Sequence, residues 1–212
     1  MLRAVDQEQR DAAVRRAVAA LRRGGVIAFP TDTVYGVGAA LSHPDAIARI
    51  YTIKERPPDK PLQVLLADVG QIPLVARAVP GPAQRLAARF LPGGLTLVLW
   101  RTPAVPDVVT TGGETVAVRV PDHPLFLALA RALGEPVVAT SANRSGQPSP
   151  VTAEEVAAQL GGRVDLILDG GRCPMARDST VLDLTVSPPR VLREGAVPRA
   201  ALEEVCGPLA AS

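Results

Sequence analysis

Aromatic residues make up only 3% of this 212-residue chain, so a stacking platform for single-stranded nucleic acid is poorly supplied. The two histidines, His43 and His123, and the two cysteines, Cys173 and Cys206, are scattered, with no CxxC pair. A structural zinc cluster therefore has almost no ligands to draw on. Buried or incidental thiols are the plain reading of the cysteines, and a disulfide stays open on sequence grounds alone. No apolar run approaches a membrane span. The N-terminus becomes charged at Arg3 and Asp6, too early for a signal peptide. These absences point to a cytoplasmic protein. Lysine is the rarest cation: of 23 basic residues only Lys54 and Lys60 are lysines, and both fall in the segment Lys54-Glu55-Arg56-Pro57-Pro58-Asp59-Lys60. An ammonium is a compact, strongly hydrated charge suited to pressing on a phosphate or carboxylate oxygen, where an arginine offers a flat fork.

A hydrophobic content of 47% beside 21% charged residues argues for a folded chain with ample length for a core. A net charge of +2 permits polyanion binding without requiring it. Asp6 with Gln9 resembles a capping box. Ala13, Val14, Ala17, Val18 and Leu21 repeat with helical period, and Gly24-Gly25 supplies the stop. Val26 to Phe29 reads as a buried strand, and Thr31 to Gly38 as a turn-rich loop. Pro44 opens a second helix, with the Lys54 segment expected just past its end. Strands are predicted over 61–67, 95–100, 115–120, 136–140, 165–168, 180–184 and 190–193. Helical patterning covers about 72–90, broken near Pro80-Gly81-Pro82, as well as 122–133, a helix capped by Thr152 and Glu155, and a short C-terminal helix. Strands alternate with helices early and crowd together later. That order predicts an α/β (α+β) fold: one domain over residues 1–212 with a twisted mixed sheet flanked by helices.

Four segments attached to strand ends carry small polar or cationic residues: Thr31 to Gly38, Lys54 to Lys60, Ser141 to Pro150, and Arg177 to Thr180. Ligands of α/β sheets sit beyond strand ends, so these segments are candidates to meet in one pocket of anion-binding character. GxxxxGK[ST] and GxSxG are absent, and Gly36-Val37-Gly38 lacks the third glycine of a dinucleotide fingerprint. No nucleophile has a histidine beside it. A catalytic site here would work by orientation and charge stabilisation. Asp32, Asp59 and Asp178 are open to three roles, as caps, salt-bridge partners or metal-associated carboxylates.

Several blocks run in one order along residues 24–195: Pro30-Thr31-Asp32-Thr33-Val34-Tyr35-Gly36-Val37-Gly38, Lys54-Glu55-Arg56-Pro57 with Lys60-Pro61-Leu62, Leu91-Pro92-Gly93-Gly94-Leu95-Thr96, Val118-Arg119-Val120-Pro121, Ser141-Ala142-Asn143 with Gly146, and Asp178-Ser179-Thr180-Val181 with Arg193-Glu194-Gly195. This pattern resembles the YrdC/Sua5 family of threonylcarbamoyl-AMP synthases, in its single-domain short form. The resemblance implies a YrdC-like fold with a concave basic cavity. It also implies a nucleotidyltransferase reaction in which L-threonine, bicarbonate and ATP give threonylcarbamoyl-adenylate, pyrophosphate and water, for the t6A37 modification of tRNA. The route it implies carboxylates the threonine amine to a carbamate, which then attacks the α-phosphorus of ATP.

On that likeness Lys54, Arg56, Ser141 and Asn143 form the catalytic KxR/SxN set. Arg56, Lys60, Thr115, Ser141, Ser149 and Arg193 would face ATP, and Thr33, Arg119, Ala139 and Ser179 would hold threonine. Lys54, Arg56 and Lys60 would neutralise phosphate and carbamate, with Mg2+ carried mainly by ATP and water rather than by a dedicated protein site. The implied partners are ATP, L-threonine and bicarbonate, with a downstream tRNA threonylcarbamoyl transferase complex and no membrane. One departure is Leu65, where longer relatives carry histidine. A competing expectation is a non-catalytic module for double-stranded RNA or tRNA, whose binding would fall steeply with salt. A more distant one is the related domain of hydrogenase-maturation carbamoyltransferases.

Overall fold

The computed structural model describes residues 1–3 and 7–211. The capping box expected at Asp6 lies outside the described residues. Helix α1 spans Gln7–Arg22 and buries Ala13, Val14, Ala17, Val18 and Leu21, the face its period predicts. It ends where Gly24 takes a φ of 73°, a conformation that favours glycine.

The strands are β1 (Leu2–Arg3), β2 (Ile27–Phe29), β3 (Gly36–Ala40), β4 (Gln63–Leu65), β5 (Leu95–Trp100), β6 (Thr115–Arg119), β7 (Val137–Ser141), β8 (Leu166–Asp169), β9 (Thr180–Asp183) and β10 (Arg190–Arg193). The remaining helices are α2 (Pro44–Lys54), α3 (Ile72–Val75), α4 (Gly81–Phe90), α5 (Asp107–Thr110), α6 (Pro124–Leu133), α7 (Ala153–Leu160) and α8 (Arg199–Cys206). All ten strands join one mixed sheet in the order β1-β8-β2-β3-β7-β4-β6-β5-β9-β10. Pro44 stands in the first turn of α2, and Thr152 caps α7 by accepting from the Glu155 amide. Both arise from the local chemistry that the sequence displays.

Gly36-Val37-Gly38 is not part of a loop. It lies in β3, a buried strand paired with β2 and β7. Each glycine is there for close approach: a Cβ on Gly36 would meet the Phe29 ring at 2.8 Å, and one on Gly38 would meet the Val138 carbonyl at 2.5 Å. Without β-branched or aromatic residues the segment carries little strand signal of its own.

Side chains alternate across the sheet, and the alternation locates the functional surface. One face carries Val64, Leu66, Leu97, Leu99, Val116, Val118 and Val138, packed beneath α2, α3, α4, α7 and α8. The opposite face is covered by α1 and α6, whose core takes in Ile27 and Phe29 of β2, Val137 and Ala139 of β7 and Leu168 of β8. Over β4, β6, β5 and β9 this second face bears Gln63, Leu65, Thr96, Val98, Thr115, Ala117, Arg119 and Val181, and these line a cavity.

Candidate functional site

The cavity holds about 260 Å³ and has the sheet as its floor. Its wall includes Thr31 and Thr33 from the β2–β3 turn, Arg56 beyond α2, Ser141 at the end of β7, Asp178 and Ser179 before β9, and Arg193 at the end of β10. The four segments singled out in the sequence therefore meet. Of the predicted site residues, Thr33, Arg56, Thr115, Arg119, Ala139, Ser141, Ser179 and Arg193 line the cavity; Leu65 lines it too. Lys60 is exposed, and its carbonyl accepts from Arg56 Nε at 3.1 Å. Ser149 stands behind the wall, its hydroxyl 3.2 Å from an Asp178 carboxylate oxygen.

Lys54 departs from expectation. It belongs to the last turn of α2 and is 1% exposed, so it is not a loop cation open to a ligand. Its ammonium makes short bonds to the carbonyls of Ser141 and Asn143 and a longer one, 3.4 Å, to Asn143 Oδ1. Three donors meet three acceptors, leaving none for substrate. Burial, helped by the Arg56 charge and opposed by Asp178, pushes the Lys54 pKa down to about 7. The connection continues outside: the Ser145 amide donates to the Lys54 carbonyl at 2.8 Å, and Glu55, in the left-handed conformation at the end of α2, pairs with Arg144 at 2.7 Å and Arg163 at 2.8 Å. Asn143 is equally committed. Its Oδ1 accepts from Ser141 Oγ, and its Nδ2 donates to the carbonyls of Arg144 and Gln147. The KxR and SxN segments are thus one connected piece, with Arg56 and Ser141 as its cavity-facing members.

Arg119 is 3% exposed. Nε donates to the Gly93 carbonyl at 2.8 Å, one Nη to Thr33 Oγ1 at 2.8 Å, and the other to Asp32 Oδ1 at 2.6 Å. This settles the open role of Asp32 as the salt-bridge partner of Arg119. Five N–H donors less three leaves two without an acceptor among the described residues. Asp32 Oδ2 is buried without a partner.

Arg56 and Arg193 are placed differently. Arg56 donates only to the carbonyls of Lys60 and Pro61, and Arg193 only to the carbonyl and hydroxyl of Ser179. Among the described residues neither has a carboxylate at ion-pair distance. Burial lowers the Arg56 pKa, and the neighbouring Arg193 charge adds to that, against the pull of Tyr51 and Asp59. Two guanidinium groups on one cavity wall, neither in a close ion pair among the described residues, suit a multiply charged anion.

Sequence reasoning passed over three contributors. Tyr35, fully buried, bridges loops with its hydroxyl on the Gly171 carbonyl at 2.8 Å, while its backbone holds Pro150 and Ala142. Thr96 bonds Ser179 Oγ at 2.8 Å and Gln63 Oε1 at 3.3 Å. A signal for Gln63 was present: it is the one polar residue in the apolar run Pro61 to Ala67.

The Sua5/YciO/YrdC family model, described as "Telomere recombination", matches residues 19–195. The chain belongs to the Sua5/YciO/YrdC family. Among curated Sua5/YciO/YrdC relatives it is 47% identical over 203 residues to the threonylcarbamoyl-AMP synthase of Bacillus subtilis, covering 94% of this chain and 58% of that protein. It is 38% identical over 184 residues to the threonylcarbamoyl-AMP synthase of Vibrio vulnificus, covering 86% of this chain and 98% of that one. The crystal structure of Pyrococcus abyssi Sua5 complexed with L-threonine superposes with a TM-score of 0.92 at 42% identity, over 97% of this chain and 60% of that chain. The chain thus spans somewhat more than half the length of the B. subtilis and P. abyssi proteins. The mixed sheet and flanking helices are the Sua5/YciO architecture. Both cysteines are free thiols. Among the described residues no His, Cys, Asp and Glu group has the makings of a metal site, and no helix is long and apolar enough to cross a membrane.

Proposed function

We propose that this Sua5/YciO/YrdC member is an L-threonylcarbamoyladenylate synthase, a nucleotidyltransferase that joins L-threonine, bicarbonate and ATP into threonylcarbamoyl-AMP with release of pyrophosphate. The observation that carries the reading is the pair of guanidinium groups, Arg56 and Arg193, facing one cavity with no carboxylate at ion-pair distance among the described residues. A carbamate meeting a triphosphate is a collision of like charges, and cations held between them remove that barrier. Arg119 at the other end of the floor offers its two remaining N–H groups to the amino-acid carboxylate, with Thr33 and Ser179 beside it. Thr115 and Ser141 face the nucleotide, and Ala139 lies between. Orientation of the carbamate on the α-phosphorus accounts for much of the rest, about 7 kcal/mol or more on effective-molarity grounds.

One role is assigned differently from what the family likeness implies. Lys54 and Asn143 act by fixing the loop that presents Ser141, rather than by touching phosphate. Mg2+ suits the site as a companion of the nucleotide, because among the described residues Asp178 is the one carboxylate on the wall and this ion commonly takes one or two carboxylates plus phosphates and water. Bound there, it would offset charge on the phosphate oxygens. A cavity of about 260 Å³ is near the small end of ligand sites, about 300–1,000 Å³, so the triphosphate would extend through its mouth past Lys60. The reading treats residues 1–212 as one YrdC-like unit and assigns its product to a tRNA threonylcarbamoyl transferase complex. A recessed cavity on the sheet, rather than an extended basic face, gives little support to a duplex-RNA surface.

The test is pyrophosphate release by the purified chain with ATP and bicarbonate. Release should require L-threonine and be accompanied by the carbamoyl-adenylate in mass spectra. Release without threonine, or none, overturns the reading.

A further inference from the structure

Four side chains cross the cavity floor as one hydrogen-bonded chain. Arg193 donates to Ser179 Oγ at 3.0 Å, the Ser179 and Thr96 hydroxyls meet at 2.8 Å, and Thr96 donates to Gln63 Oε1 at 3.3 Å. The single Thr96 proton goes to Gln63, so Ser179 gives its own proton to Thr96 and takes an N–H from Arg193. Donors therefore point one way, from the charged end toward Gln63, and each bond polarises the next. Gln63 is paired with Ala117 on β6, and Ala117 with Val98 on β5, so Gln63 reaches Thr96 diagonally, toward the level of Arg119, past the small Ala117 side chain.

The amide nitrogen of Gln63 is left over. Its side chain lines the cavity, and among the described residues Nε2 has no protein acceptor. With Oε1 tied to Thr96, the amide plane is set and both N–H groups are available. Gln63 is level with Ala117, and Leu65 with Arg119. Thr115 lies one inward-facing step along β6 on one side of that level and Arg119 one step on the other. The Gln63 main chain thus stands midway between the nucleotide end and the amino-acid end of the floor, and its amide leans toward the amino-acid end, where Thr96 holds it.

We propose that Gln63 is a substrate-binding residue whose Nε2 donates to the non-attacking oxygen of the threonine carbamate, with Thr96 and Ser179 as its positioning residues. This rests on the synthase reading. The amine and bicarbonate give carbamate and water. One carbamate oxygen then forms the bond to the α-phosphorus while the bond to the bridging oxygen breaks and its electron pair leaves with pyrophosphate. The other oxygen stays on carbon as the carbonyl, and that is the oxygen Gln63 holds.

The experiment compares wild type with Gln63→Leu, Gln63→Glu and Thr96→Val by pyrophosphate release at varied bicarbonate, and by calorimetric titration with L-threonine alone. Gln63→Leu should lower kcat/KM for bicarbonate about 10- to 100-fold with threonine affinity held within about twofold. Gln63→Glu, which sets a like charge against the carbamate, should lose more. Thr96→Val, which frees the amide to rotate, should lose less than Gln63→Leu. Equal melting temperatures across the set separate these effects from misfolding. Wild-type bicarbonate dependence in Gln63→Leu and Gln63→Glu, or losses shared equally by threonine binding, overturns the assignment of Gln63 alone. A wild-type chain that releases no pyrophosphate removes the synthase reading first, and the Gln63 proposal with it.

Discussion

Replacing Lys54 with alanine tests whether its ammonium is a brace. Truncation strands the carbonyls of Ser141 and Asn143, at about 1–3 kcal/mol each, and removes roughly 3 kcal/mol of buried methylene surface. The variant is spared the burial of an ammonium. A fall in pKa from 10.5 to about 7 corresponds to about 5 kcal/mol where both states are protonated. The net effect below pH 7 is a loss of about 2 kcal/mol. Because the folded-state pKa is depressed, the unfolded chain binds more protons between pH 7 and 10.5. Wild-type stability therefore climbs with pH through that window, while the penalty is complete below it. Alanine contributes no such slope. Urea denaturation should show the gap between wild type and Lys54→Ala widening by about 3 kcal/mol from pH 6 to pH 9. A gap under about 0.5 kcal/mol at both pH values, or one that does not change with pH, refutes the brace.

Nucleotide binding should take up protons at pH 8. Phosphates arriving near the Ser141 loop favour the charged form of Lys54 and raise its pKa from about 7; calorimetry in buffers of different ionisation enthalpy would read a fraction of one proton per nucleotide, and zero uptake counts against the placement. Asp32→Asn leaves the Arg119 charge buried without its partner and should cost about 3–5 kcal/mol in denaturation, whereas a loss below about 1 kcal/mol would mean that Gly93 and Thr33 suffice for Arg119.

Local chemistry made most of the architecture legible. The α1 period, Pro44 in the first turn of α2, the Thr152 cap and strands β5 and β6 all rest on neighbours in sequence. The misreadings share a cause: they depend on partners far along the chain. Gly38 lies in a strand packed against Val138 of β7, far along the chain. Lys54 is buried because residues 87 and 89 positions away offer it oxygens. The role of Asp32, left open among three, was undecided for the same reason: it pairs with Arg119 across 87 positions. No local pattern encodes such meetings. The cavity residues were recoverable as a set because their motifs recur in a family order, and Gln63 escaped because it lies outside those motifs.

The shortest bonds of Lys54 run to main-chain oxygens, and that separates two kinds of tolerance. Residue 141 presents the same carbonyl whatever it carries beyond Cβ, so an exchange there can silence chemistry while the segment keeps its place. Position 54 has no such freedom: whatever replaces the ammonium must answer both for where the segment lies and for what it does. Shape and activity are therefore separable at one end of this contact and inseparable at the other.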